Sequence, residues 1–160
     1  MANKDNPITG ANFEKMCQEY MTKQGVELVH SCSLKIRANK KYGYHKFDFV
    51  SKKAKIIIKC KSHIWTESGN TPSAKMALWN ETMYYFSLLP KSHLKILFVK
   101  KSINKNNKKS LAEQYVISNE HLIPYNTVIW EFDVSKKKHK QIYPEQFENS
   151  LPVICNFPNC

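Results

Sequence analysis

The stretch Lys46-Phe47-Asp48-Phe49-Val50-Ser51-Lys52-Lys53-Ala54-Lys55-Ile56-Ile57-Ile58-Lys59-Cys60-Lys61-Ser62 carries two strand signals around a polar turn. In Lys46–Val50, Phe47 and Phe49 alternate around Asp48. Both aromatics are therefore expected to face the core, with Asp48 on the opposite side of the sheet. Ser51-Lys52-Lys53-Ala54 reads as the turn, and Lys55–Ser62 as the following strand. Three successive isoleucines suggest that this second strand is covered on both faces. Lys59 and Lys61 are two residues apart and share one face, which hairpin pairing brings next to Asp48.

Upstream, residues 11–24 read as an amphipathic helix. Phe13, Met16, Cys17, Tyr20 and Met21 follow helical spacing, Glu14 lies beside that stripe, and Gly25 stands where a C-terminal cap glycine belongs. Val26–Ile36 reads as a strand. Downstream, Thr71-Pro72 reads as an N-cap followed by a first-turn proline, opening a helix that runs to about Leu89 and stops at Pro90. Leu94–Lys100 and Thr127–Val134 read as strands, Ala112–Asn119 as a short helix, and residues 135–160 as an irregular C-terminal segment. The order is helix, three strands, helix, strand, short helix, strand. Three consecutive strands imply an antiparallel meander, and the strand reached through the long helix lies parallel to one of them. The expected fold class is α/β, one domain over 1–160, with a central mixed sheet flanked by helices.

The chain has 160 residues and a formal net charge of +12. Such a balance favours a polyanionic partner, because neutralised phosphates release counterions. Only Arg37 is arginine, and Lys, Asn and Ile abound, a pattern that AT-rich coding also produces. The five cysteines are odd in number and irregularly spaced, with no CxxC pair for a zinc site; Cys17 and Cys60 read as small core residues. A reducing, cytoplasmic setting is the simplest expectation. Residues 1–10 show no apolar signal core, and no apolar run approaches the ~20 residues that span a membrane. No nucleophile elbow or glycine-rich phosphate loop is present.

An acid on one strand beside lysines on the next suits metal-assisted phosphodiester hydrolysis. Carboxylates hold Mg²⁺ (or Mn²⁺), the ion polarises the phosphate and acidifies a bound water, and a lysine neutralises developing charge. A hard ion also accepts a backbone carbonyl, here that of Cys60. Asp48 followed by Lys59-Cys60-Lys61 on a hairpin, with Glu14 on a preceding helix, resembles the PD-(D/E)xK nuclease superfamily over roughly 11–100. Ile58-Lys59-Cys60-Lys61-Ser62 is similar to that family's V-E-C-K-S strand at every position but one. The resemblance implies a restriction-endonuclease-like sandwich with an αβββαβ core. It makes Asp48 the principal metal ligand, Lys61 the catalytic lysine, Glu14 an auxiliary acid, and Lys59 the position of the expected Glu or Asp. It also implies a Mg²⁺-dependent endodeoxyribonuclease acting on double-stranded DNA. A type II restriction enzyme is the first expectation, with a Holliday-junction resolvase or repair nuclease as alternatives. Double-strand cleavage takes two sites, so a homodimer is expected.

Lys59 reverses the charge the site needs. Against a divalent ion at ~4 Å, each unit charge is worth up to about 8 kcal/mol at an effective dielectric near 20. Three accounts stay open: the lysine was introduced because active nuclease damages its host, Glu67 or Glu81 supplies the acid instead, or the protein is a catalytically silent DNA binder. Around the site, His63, Asn70, Lys75 and Asn80 are candidate DNA contacts, each with a bland reading as strand-end, loop or helix-surface residue. The loop 65–70 lies next to the proposed site. Trp79, Met83 and Phe86 read as core, and the lysine-rich runs 100–109 and 136–140 as solvated loops or phosphate contacts.

Overall fold

The computed structural model describes residues 5–145. Its elements are α1 (Asp5–Lys23), β1 (Val29–Ala38), β2 (Lys41–Ser51), β3 (Ile56–Lys61), α2 (Ser73–Ser87), β4 (Leu94–Lys100), α3 (Leu111–Asn119), a short 3₁₀ turn, β5 (Thr127–Asp133) and β6 (Lys138–Tyr143). The six strands form one sheet in sequence order. β1, β2 and β3 pair antiparallel, β3, β4 and β5 pair parallel, and β6 closes the far edge antiparallel to β5. The expected meander, the crossover through the long helix and the α/β layering are all present.

Helices cover both faces. On one side Trp79, Met83 and Phe86 of α2 and Leu111, Ala112 and Tyr115 of α3 pack on Val50, Ile57, Leu97, Val99 and Ile129. On the other, Phe13, Cys17 and Met21 of α1, followed by Val26, pack on Ile56, Ile58, Cys60, Ile96, Phe98, Val128 and Trp130. The Ile56–Ile58 run is completely buried, as a doubly covered strand requires. α1 ends in a Schellman cap: the Gly25 amide donates to the Thr22 carbonyl and the Val26 amide to the Met21 carbonyl. Gly25 takes φ +80°, and Val26 and Met21 share the α1-side core. α3 opens with a reciprocal Ser110–Glu113 capping box.

Five expectations change. α1 begins by Asp5, ahead of the expected start. Pro72 is the N-cap of α2 rather than its first helical residue. It has no side-chain acceptor, and its carbonyl accepts the Lys75 and Met76 amides. The segment after 135 is not irregular throughout, because Lys138–Tyr143 is strand β6. Its lysines read as a solvated run, but His139 between them stacks on Trp130 at 4.1 Å. Residues 146–160, with Cys155 and Cys160, lie outside the described residues. The β1–β2 hairpin is longer than expected and turns at Asn39, with φ +56°.

The fifth change concerns Asp48. Phe47 and Phe49 do not share a face: Phe47 packs in the α2 core and Phe49 in the α1 core. The opposing strand inverts at the same level. His30 contacts Phe49, Cys32 packs with the α2 core, and Ser31 between them takes φ +54°. Ser31 and Asp48 are missing from an otherwise continuous register. Magnitudes explain why the inversion holds. It buries both phenylalanines, at roughly 1.5–3 kcal/mol each, against about 1–2 kcal/mol for one left-handed residue. Ser31→Gly is therefore expected to raise stability by about 1 kcal/mol in urea unfolding, and Ser31→Val to lower it by at least as much.

Candidate functional site

The β2–β3 ladder stops at Phe49–Ile58. One residue further, the Asp48 side chain takes over from the backbone: its Oδ2 accepts the Cys60 amide at 2.7 Å. Its Oδ1 accepts from Lys59 Nζ at 3.1 Å, and the same ammonium donates to the Lys46 carbonyl at 3.1 Å. Lys59 and Asp48 expose only 16% of each side chain, so this ion pair is partly withdrawn from water.

Lys61, on the same face as Lys59, has its pKa lowered, first by burial and then by the Lys59 charge, with Asp48 and Glu81 opposing. Glu14 of α1 approaches from the other side and lies 3.5 Å from His30 Nε2. Burial raises its pKa most, the Asp48 charge adds to this, and His30 and Lys59 oppose. Asp48, Lys59 and the Cys60 amide are joined directly, and Lys61 and Glu14 feel the charges of this group; the Cys60 atom bonded to Asp48 is its amide, not the carbonyl expected as a metal ligand. The Cys60 side chain is elsewhere: it is buried in the α1 core, where burial and then Cys17 hold the thiol well above its usual pKa.

His45 falls one residue before the expected strand start at Lys46, inside the longer β2. It stacks on Tyr85 of α2 at 3.5 Å, and its buried Nε2 has no hydrogen-bond partner among the described residues. Burial and the Lys59 charge lower its pKa, while Glu81 and Asp48 raise it. Glu81 therefore acts electrostatically on both His45 and Lys61. Glu67 lies exposed in the 66–70 turn.

The four outer candidates divide. His63 continues beyond β3, but its Nδ1 accepts the Trp79 indole N–H at 2.9 Å. Burial, with help from Lys61 and Lys75, lowers its pKa to about 4, so it stays neutral at pH 7 and offers a phosphate no charge. Lys75, half-buried on α2, acts on His63 through its charge. The Asn70 carbonyl closes a turn by accepting the Thr66 hydroxyl, leaving the residue exposed. The Asn80 oxygen is taken up by the Tyr115 hydroxyl at 2.9 Å, which ties α2 to α3.

The fit to Mg²⁺ or Mn²⁺ is poor. Both Asp48 oxygens hold donors, and one of them is an ammonium in the place a cation would take. Among the described residues, no three His, Cys, Asp or Glu side chains cluster as a metal ion requires. Among them, too, no helix is long and apolar enough to cross a membrane. Comparisons with protein-family models, curated proteins and solved structures found no match to this chain.

Two measurements follow. Asp48→Ala leaves a partly buried ammonium and a Cys60 amide without partners, so it is expected to cost about 3 kcal/mol or more in chemical unfolding. Lys59→Met removes one donor and is expected to cost clearly less. A folded-state pKa below the unfolded one means that the His63 contribution is complete above pH 6.5 and is lost as pH falls toward 4. The wild-type stability profile should drop across that window by about 1–2 kcal/mol more than that of His63→Gln, because solvent around the half-buried ring screens part of the effect.

Proposed function

We propose that this chain is a DNA-binding protein built on the restriction-endonuclease-like nuclease plan, in which Lys59 blocks the metal-dependent hydrolytic site. The reading rests on one observation above others. A carboxylate at the end of the β2–β3 ladder is bonded to the amide between two lysines of β3, with a helix acid beside it. Such a layout would suit a phosphodiesterase: Asp48 and the residue at 59 would share a cation, Lys61 would neutralise a phosphate, and Glu14 would orient what binds between them. With lysine at 59 the positive charge is supplied by the chain, and hydrolysis should be absent or weak. The net charge of +12 suits duplex DNA as the partner. A homodimer would place one site on each strand, in the manner of a type II restriction enzyme.

A second reading keeps the enzyme active, with Glu81 as the replacement acid. Its charge reaches both Lys61 and His45, which favours it over Glu67. Plasmid cleavage with Mg²⁺ or Mn²⁺ separates the two. Lys59→Glu is expected to cut DNA at least about a hundredfold faster than wild type, by removing the block and restoring a ligand, and Asp48→Asn on that background should abolish cutting. No gain in Lys59→Glu would sink the blocked-nuclease reading. Cleavage by wild type that is lost in Glu81→Gln would establish the second.

A further inference from the structure

β1 and β2 outrun the sheet. Among the described residues, β2 has no strand paired to it on the β3 side beyond Phe49–Ile58, yet it stays paired with β1 as far as Ala38–Lys41. The result is a two-stranded ribbon leaving the sheet at Asp48. Its faces differ sharply. Cys32, Leu34 and Ile36 are half-buried toward the α2 core, with His45 stacked on Tyr85. The opposite face pairs Ser33 with Lys46, Lys35 with Tyr44, and Arg37 with Tyr42, and all six residues are exposed.

That outer face has one charge sign. From Leu28 to Phe47 the chain contains no Asp or Glu, while Lys35, Arg37, Lys40, Lys41 and Lys46 all fall within it. Lys35 Nζ lies 4.2 Å from the Tyr42 ring centroid and the Arg37 guanidinium 5.3 Å. Tyr42 and Tyr44 expose 58% and 73% of their surface. Among the described residues their side-chain partners are local to the ribbon: Arg37 Nε donates to the Asn39 carbonyl, and Lys35 and Arg37 lie over Tyr42. A row of cations needs an anionic partner, and hydroxyls and cations together suit phosphate and sugar oxygens. A two-stranded ribbon also fits the width of a B-DNA major groove, whereas the deep, narrow major groove of an RNA duplex excludes it. The face starts at the candidate site itself, since the Lys46 carbonyl accepts from Lys59.

We propose that the outer face of the β1–β2 ribbon, centred on Lys35, Arg37, Tyr42, Tyr44 and Lys46, is a double-stranded DNA-docking surface. It holds the duplex against the Asp48 end of the sheet. The inference rests on the DNA-binding reading above and adds the surface that does the binding.

The test is fluorescence anisotropy of a labelled DNA duplex against the full chain over a range of salt, without divalent metal. Lys35→Ala/Arg37→Ala/Lys46→Ala is compared with Lys105→Ala/Lys108→Ala/Lys109→Ala, whose lysines lie in the exposed loop after β4. All six side chains are exposed, and circular dichroism melts confirm that both variants fold. The ribbon variant is expected to bind at least about tenfold more weakly near 0.1 M salt, with the log–log salt slope reduced by about three, while the loop variant matches wild type. Wild-type binding that the ribbon variant retains with an unchanged slope would overturn the ribbon assignment and leave the DNA-binding reading intact. Tighter binding to an RNA duplex of the same sequence would overturn the choice of DNA. No binding by wild type even at low salt would overturn the DNA-binding reading, and the ribbon assignment with it.

Discussion

A carboxylate that takes the place of a backbone ladder bond organises this protein. Where β2 leaves β3, Asp48 accepts the Cys60 amide that would otherwise be orphaned at the end of the ladder. A charge-assisted bond of this kind contributes about 1.5–3 kcal/mol, and leaving the amide unmet would cost a similar amount. The same residue marks the level at which both strands of the hairpin invert, so that Phe47 and Phe49 are buried on opposite faces. It is also where the ribbon departs. The fold, the placement of the charges and the path of the ribbon therefore meet at one side chain.

Lys59 completes that arrangement in place of a bound cation. Its ammonium links Asp48 to the Lys46 carbonyl and so fastens the root of the ribbon to β3. Partly buried ion pairs are weak evidence for stability, because desolvation offsets much of the attraction. The physical effect here is on occupancy: a tethered positive charge sits beside the only carboxylate of the β2–β3 junction. Burial, and then the charge of Lys59, make the second lysine, Lys61, hold its proton less tightly. Without the acid at 59, the local balance between Asp48, Glu14, Lys59 and Lys61 is already neutral without a metal.

Much of this was readable from residue order. The Ile56–Ile58 run announced a doubly covered strand, the Trp79/Met83/Phe86 stripe announced a core-facing helix, and the spacing of Asp48, Lys59 and Lys61 brought them together. What escaped has identifiable causes. Strict alternation put Phe47 and Phe49 on one face, and nothing local signals that Ser31 opposite adopts a left-handed conformation. Residues 37–45 mix lysine, tyrosine and glycine and give no strand alternation, although cross-strand pairing holds them as strand on either side of the turn at Asn39. β6 was hidden in a lysine run because only its cross-strand partners, Trp130 above all, reveal which residues turn inward. Asn80 and His63 looked like surface donors, and their partners Tyr115 and Trp79 come from tertiary packing that spacing does not display.

The occupancy of the cation position is open to direct measurement. In the ¹⁵N-labelled chain, the amides of Asp48, Lys59, Cys60 and Lys61 report on any paramagnetic ion at the site. If Lys59 holds the cation's place, added Mn²⁺ should leave these signals sharp in the wild-type protein and broaden them selectively in Lys59→Glu. Selective broadening of the Asp48 and Cys60 amides in the wild type, at equal Mn²⁺, would contradict it.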